Sequence, residues 1–143
     1  MKKSTKLFTL PLLLFSLSSG SLLASSGENL FKEKCMTCHT MVRPADKSTM
    51  VAPPAKGLMF HMSEDIGSDA KILAHIKSFT MNPTKEKAIC KSVRRFGLMP
   101  SQKESITQAE LDIVAKWMVE NLKMSEADYK MREERRGRGA GQK

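Results

Sequence analysis

The chain has 143 residues, enough for one small domain with appendages, and a formal charge of +9. Lys2, Lys3 and Lys6 carry three of those charges, and from Tyr129 onward six Lys or Arg outnumber two Glu, so the stretch from Gly27 to Asp128 holds only about +2. Basicity confined to the ends argues against a folded nucleic-acid-binding surface, which concentrates Lys and Arg on the domain itself.

The basic start is followed by an apolar run from Leu7 to Leu17, broken only by Thr9, Pro11 and Ser16, and then by small residues from Ser18 to Gly27. This three-part pattern predicts a secretory signal peptide over residues 1–26, cleaved between Ala24 and Gly27. The apolar run is too short to span a bilayer, so no stable membrane insertion is expected. No cysteine follows it to carry a lipid anchor. The expected location is the periplasm.

The mature chain, a domain over 27–124 followed by a tail over 125–143, opens with a helix predicted from Glu28 to Met36. Gly27, Phe31 and Cys35 are spaced four apart and form one stripe, in which the glycine lets a second helix approach closely. Next comes Cys35-Met36-Thr37-Cys38-His39, the attachment pattern of a c-type haem. Two thiols three positions apart lie on one face of a helical turn and can both form thioethers to one porphyrin. The histidine that follows can turn its imidazole to the iron. Export with C-x-x-C also allows a disulfide or a dithiol redox pair, but the adjacent His39 and the absence of a βαβ pattern speak against both. A zinc site from Cys35, Cys38 and two of His39, His61, His75 and Cys90 lacks a second closely spaced ligand pair.

Thr40 to Ser68 reads as a long irregular loop with one helical turn near Met59 to His61, punctuated by Pro44, Pro53, Pro54, Gly57 and Gly67. A loop of that length calls for a function, and wrapping a buried macrocycle would be one. A carbonyl in Ala52-Pro53-Pro54 could accept the N–H of the His39 ring, or the segment is an ordinary rigid turn. Ser68 is placed to cap a helix from Asp69 to Met81, ended by Asn82-Pro83, with Ile72, Leu73, Ile76 and Phe79 on its apolar face. His75 lies near that face. A further helix is expected from Lys85 to about Arg95, capped by Thr84, with Cys90 mid-helix as a small buried hydrophobe.

Gly97 and Pro100 then bracket Met99 in a segment that cannot be regular helix, holding its thioether on a rigid loop. A thioether suits haem iron opposite a histidine and raises the reduction potential. Met41, Met50, Met59 and Met62, with His61 and His75, are the rivals for that second axial position. Thr107-Gln108-Ala109-Glu110 is a capping box opening a helix to about Lys123, with Leu111, Val114, Ala115, Met118 and Leu122 as its stripe. Trp117 lies where it could pack on Gly27 and Phe31. Ser125 starts a short helix at most, and the charged, glycine-rich end from Arg132 to Lys143 is expected to be disordered.

On the haem motif, the Gly27–Phe31 spacing, the Val114–Trp117 pair and Gly97-Leu98-Met99-Pro100, the chain resembles class I, monohaem cytochrome c from roughly Gly27 to Leu122. The resemblance implies an all-α cytochrome c fold of four to five short helices around one covalent haem c. Cys35 and Cys38 would be its thioether anchors and His39 and Met99 its axial ligands, with Pro53 or Pro54 contacting the proximal histidine. The loop after His39 lacks the family's usual glycine-rich beginning, and the basic tail has no counterpart in the pattern. The function so implied is periplasmic electron transfer without enzymatic turnover, exchanging electrons with acidic or membrane-bound redox proteins. The alternatives are a cytochrome subunit of a larger periplasmic redox complex, or an enzyme or gas sensor with an open haem position. Lys56, Lys91, Arg94, Arg95 and Lys103 flank the proposed haem contacts and either steer an acidic partner or form an ordinary solvated face.

Overall fold

Three apolar stripes at helical spacing need to bury one another, and in the computed structural model, which describes residues 20–140, they do so as crossing helices. The helices are α1 (Gly20–Lys34), α2 (Ala55–Asp65), α3 (Asp69–Met81), α4 (Val93–Phe96), α5 (Gln108–Asn121) and α6 (Glu126–Ala140), with one 3-10 turn at Lys47–Thr49. Among the described residues there is no strand, so the fold is all-α, consistent with a cytochrome c fold. No described helix is long and apolar enough to cross a membrane. Residues 1–19 of the expected signal peptide lie outside the described residues, and the expected cleavage point between Ala24 and Gly27 falls within α1.

The crossing of α1 and α5 is the scaffold. Phe31 is 1 % exposed and its ring tilts against Trp117 with centroids 5.4 Å apart. A Cβ at Gly27 would collide with the Trp117 side chain, so the absent methyl is what lets the two backbones meet. The α5 stripe of Leu111, Val114, Ala115, Met118 and Leu122 is buried throughout. Its start is the predicted capping box: the Glu110 N–H donates to Thr107 Oγ1 at 3.2 Å and the Thr107 N–H to Glu110 Oε2 at 2.8 Å. Helix α3 has the predicted bounds and buries Ile72 and Ile76, while Lys77 pairs with Asp112 on α5 at 2.6 Å. Ser68 stands at its N-cap but its side chain makes no capping bond.

Three segments differ from expectation. The stretch read as loop contains an eleven-residue helix, α2, with Pro54 at its N-cap and Ala55, Met59, Phe60 and Met62 buried. Prolines open a helix without loss, because the first N–H groups have no intrahelical partner, and Gly57 falls in the tolerant first turn. The helix expected from Lys85 to Arg95 is reduced to hydrogen-bonded turns and the four-residue α4. The Lys87 N–H reaches Thr84 Oγ1 at 3.4 Å and Ala88 N–H donates to Lys85 O at 3.2 Å, but the chain then turns away. Ser92 makes no capping bond and Gly97 stops α4 at φ 77°, so the helix that forms is one turn long.

The third is the tail. Expected to be disordered, it is helical from Glu126 to Ala140, and residues 141–143 lie outside the described residues. Ser125 and Asp128 cap α6 reciprocally, the Asp128 N–H donating to Ser125 Oγ at 3.2 Å and the Ser125 N–H to Asp128 Oδ2 at 3.1 Å. Phe60 of α2 is the anchor. The Tyr129 ring lies 5.2 Å from it, and the Arg132 guanidinium sits 3.7 Å over its face.

Candidate functional site

The haem motif follows directly from the last turn of α1. Cys35 N–H donates to Phe31 O at 2.9 Å, and His39 N–H to Cys35 O at 2.9 Å, so the helical register continues through the motif. That register puts Cys35, Cys38 and His39 along one wall of an apolar cleft enclosing about 1430 Å³, its open mouth included. Both motif cysteines are free thiols. Burial, with Cys38 close by, pushes the Cys35 thiol up to about 11.

His39 is oriented from behind. Its Nδ1 lies 2.8 Å from Pro53 O, a carbonyl that can only accept, so Nδ1 carries a proton and the lone pair of the neutral ring falls on Nε2. Between the two prolines left open by the sequence, the carbonyl at the ring is that of Pro53. Pro54, named alongside it, instead accepts the Leu58 N–H at 3.0 Å and so closes the first turn of α2. The segment is held in place by Ala55 N–H donating to Thr40 O at 2.8 Å.

Met99 lines the same cleft. Gly97 ends α4 at φ 77°, a conformation glycine alone adopts readily, and the chain passes into Leu98-Met99-Pro100. The loop is tied to the C-terminal end of α3, where Ser101 Oγ donates to Met81 O at 2.7 Å and Gln102 N–H to Thr80 O at 3.0 Å. Of the rival methionines, Met62 also lines the cleft but is buried in the core, Met59 is fully buried on α2, and Met41 and Met50 are not among the lining residues. His61 packs beside Phe60, away from the cleft, whereas His75 lines it.

The walls are apolar: Leu58, Ile76, Phe79, Ile89, Val93 and Phe96 are among them, and no Asp or Glu lines the cleft. Cys90 lines it too, in a turn rather than mid-helix. Lys91, Arg94, Arg95 and Lys103 are exposed beside lining residues, with Arg95 Nη2 donating to Lys47 O at 2.7 Å. Lys56 lines a separate groove with Arg43, Asp128 and Arg132. Among the described residues no three His, Cys, Asp or Glu side chains gather to hold a metal ion, which leaves the zinc alternative without a ligand set.

Residues 23–118 match the family model of cytochrome c oxidase, cbb3-type, subunit III, a c-type cytochrome domain. The chain belongs to this family. Its c-type cytochrome domain implies electron transfer through a covalently held haem c. The chain is also similar to a protein of Aquifex aeolicus (strain VF5), described as uncharacterized. The two are 24 % identical over 118 residues, covering 72 % of this chain and 78 % of that protein. No solved structure matches significantly. The cleft of this cytochrome domain fits a haem on its own terms. Two free thiols, an imidazole with its lone pair on Nε2, and a thioether on a pinned loop all face one apolar space.

Proposed function

We propose that the protein is an exported, non-enzymatic electron carrier. In this reading it holds one haem c, joined to Cys35 and Cys38 and ligated by His39 and Met99. The observation that carries the reading is that Met99, on a loop pinned to α3, faces the same cleft as the motif whose histidine Pro53 orients. When bound, the haem supplies a one-electron couple. The chain supplies the rest. Pro53 O fixes the tautomer of His39 and makes Nε2 a better donor. Gly97 and the bonds from Ser101 and Gln102 hold the Met99 sulfur against displacement. Apolar walls keep water from the cleft and favour the reduced, less charged state. With His39 and Met99 both holding the iron, no open position would be left for a substrate, which favours a carrier over an enzyme or gas sensor.

The partners in this reading are redox proteins with acidic docking faces, steered by the exposed Lys91, Arg94 and Lys103 beside the cleft, with a rate that falls as salt rises. A second reading is a cytochrome subunit within a larger periplasmic redox complex. The family description, which names an oxidase subunit, favours it. Native mass measurement on periplasmic extract separates them, since a stable stoichiometric complex sinks the free-carrier reading.

The spectrum of the matured protein tests the haem centre. The expected result is a six-coordinate, low-spin ferrous form that does not bind carbon monoxide readily. Met99→Ala is expected to abolish the weak charge-transfer band of thioether-ligated ferric haem and to lower the potential. A band that survives in Met99→Ala would mean that Met99 is not the ligand.

A further inference from the structure

The segment that orients His39 takes part in a second concavity. Pro53 lines the cleft, whereas Pro54, Lys56 and Gly57 at the start of α2 line a separate groove. The two spaces have no lining residue in common. Val42 and Arg43 come to the groove from the loop after the haem motif, and Met124, Asp128 and Arg132 from the entry and first turns of α6. Those last three lie beyond the residues 23–118 matched by the family model, so one flank of the groove stands outside the family domain.

Both flanks are held within the chain itself. Ala55 N–H donates to Thr40 O at 2.8 Å and Lys56 N–H to Met41 O at 3.1 Å, which ties the loop bearing Arg43 to α2. Helix α6 is held by Tyr129 and Arg132 against the Phe60 ring. A site already in shape loses little freedom when it binds.

The charge of the groove is one-sided. Arg43 and Lys56 are exposed, and among the described residues no hydrogen bond or ion pair engages either charged head. Arg132 stays over Phe60 and adds a third positive charge to the lining. The one carboxylate there, Asp128, is occupied. Its Oδ2 accepts from the Ser125 hydroxyl at 2.8 Å and from the Ser125 N–H at 3.1 Å. Those bonds, and then the charge of Lys56, hold it below the usual carboxylate range. Three cations against one carboxylate leave an excess of two positive charges. The other side chains of the lining are apolar: Val42, which is 57 % exposed, Pro54 and Met124. The space is about 1070 Å³ with its open side included, far more than one small anion fills.

We propose that this groove receives an acidic segment of a partner protein, its carboxylates on Arg43 and Lys56 and its apolar side chains on Val42 and Met124. The surface goes beyond the haem reading and does not depend on it. A partner seated here leaves the cleft open, and a tether of this kind raises the partner's local concentration. An anionic bilayer also attracts cations, but a recess between a loop and two helices admits a chain rather than a flat sheet of headgroups.

The test titrates the matured holoprotein with a synthetic peptide that alternates Glu and Val, read by amide resonances. Shifts should centre on Val42, Arg43, Lys56, Gly57 and Met124, and the affinity should fall as salt rises. Arg43→Gln together with Lys56→Gln should weaken binding about tenfold at low salt, with the absorption spectrum unchanged. Lys71→Gln together with Lys85→Gln removes the same charge from exposed positions outside the groove, and should leave the affinity as it was. The proposal is overturned if the shifts centre on Lys91, Arg94 and Lys103 beside the cleft, or if both double variants weaken binding equally. Inorganic phosphate binding as tightly as the peptide would overturn it in favour of a small-anion site. Vesicles of phosphatidylglycerol that bind the native chain but not the groove variant, while the peptide binds neither, would overturn it in favour of a membrane surface.

Discussion

At the crossing of α1 and α5, one side chain decides how closely two backbones can pack. A methyl group on Gly27 would stand 2.8 Å from Trp117 Cγ and 3.2 Å from Ile113 O, and closer still to Trp117 Cβ. None of these is the free end of a flexible chain. Alanine would favour the helix by about 0.5–1 kcal/mol, but forcing atoms into a packed contact costs about 1–3 kcal/mol. The contact should win. Gly27→Ala is therefore expected to lower the denaturant midpoint without changing the slope of unfolding, and a variant as stable as the native chain would show that α1 can shift freely. The stripe of Gly27, Phe31 and Cys35 made this contact legible, because its spacing left one face on which Trp117 could land. The choice between Pro53 and Pro54 was not legible. Both prolines are rigid and lack a donor, and only the hydrogen bonds on either side, from His39 to one carbonyl and from Leu58 to the other, tell them apart.

Among the elements, α3 and α5 were readable because each carries its own start, stop and stripe within one continuous segment. Helix α2 was hidden by its own punctuation, since Pro53, Pro54 and Gly57 look like breakers until their place in the first turn is known. Helix α6 was hidden for a different reason: its composition is that of a solvated tail, and what holds it is a tertiary contact. Phe60 is 2 % exposed, with the Tyr129 ring and the Arg132 guanidinium against it. No local pattern announces that a residue on α2 will receive two side chains from some seventy positions later. Phe60→Leu keeps an apolar group at the site and removes the ring. A cation–π contact of this kind is worth about 0.5–2 kcal/mol, and the aromatic pair adds about 0.5–1.5 kcal/mol. The expected result is faster amide exchange through α6 with α1 and α5 still protected. If exchange in α6 is unchanged, the helix is held by something other than Phe60.

At the scale of the whole molecule, the cleft lies inside the core rather than beside it. Phe31, Ile76, Ile106, Leu111, Val114 and Met118 belong both to the buried cluster and to the cleft wall. Leu58, Phe79, Ile89, Val93 and Phe96 line the cleft half-buried, so the polypeptide alone leaves their burial unfinished. A flat apolar group bound there would complete it. It would also join the motif at Cys35–His39, from the first half of the chain, to the Met99 loop from the second. A ligand that binds only the folded state stabilises it by mass action, and covalent attachment makes that link permanent. The variant carrying both Cys35→Ser and Cys38→Ser cannot form the thioethers, while each serine is close to the size of the thiol it replaces. Without haem, the α1–α5 crossing should still form, because its Gly27, Phe31 and Trp117 contacts do not require the cleft to be filled. The segments from 84 to 100 should lose their fixed packing, since Ala88, Ile89, Val93, Phe96 and Leu98 all line the cleft. The expected signature is a partial loss of far-ultraviolet helical signal, binding of an apolar dye, and a broad unfolding transition in place of a sharp one. If the serine variant instead unfolds as sharply as the holoprotein and with the same denaturant slope, the haem is an occupant of a finished fold rather than the last part of its core.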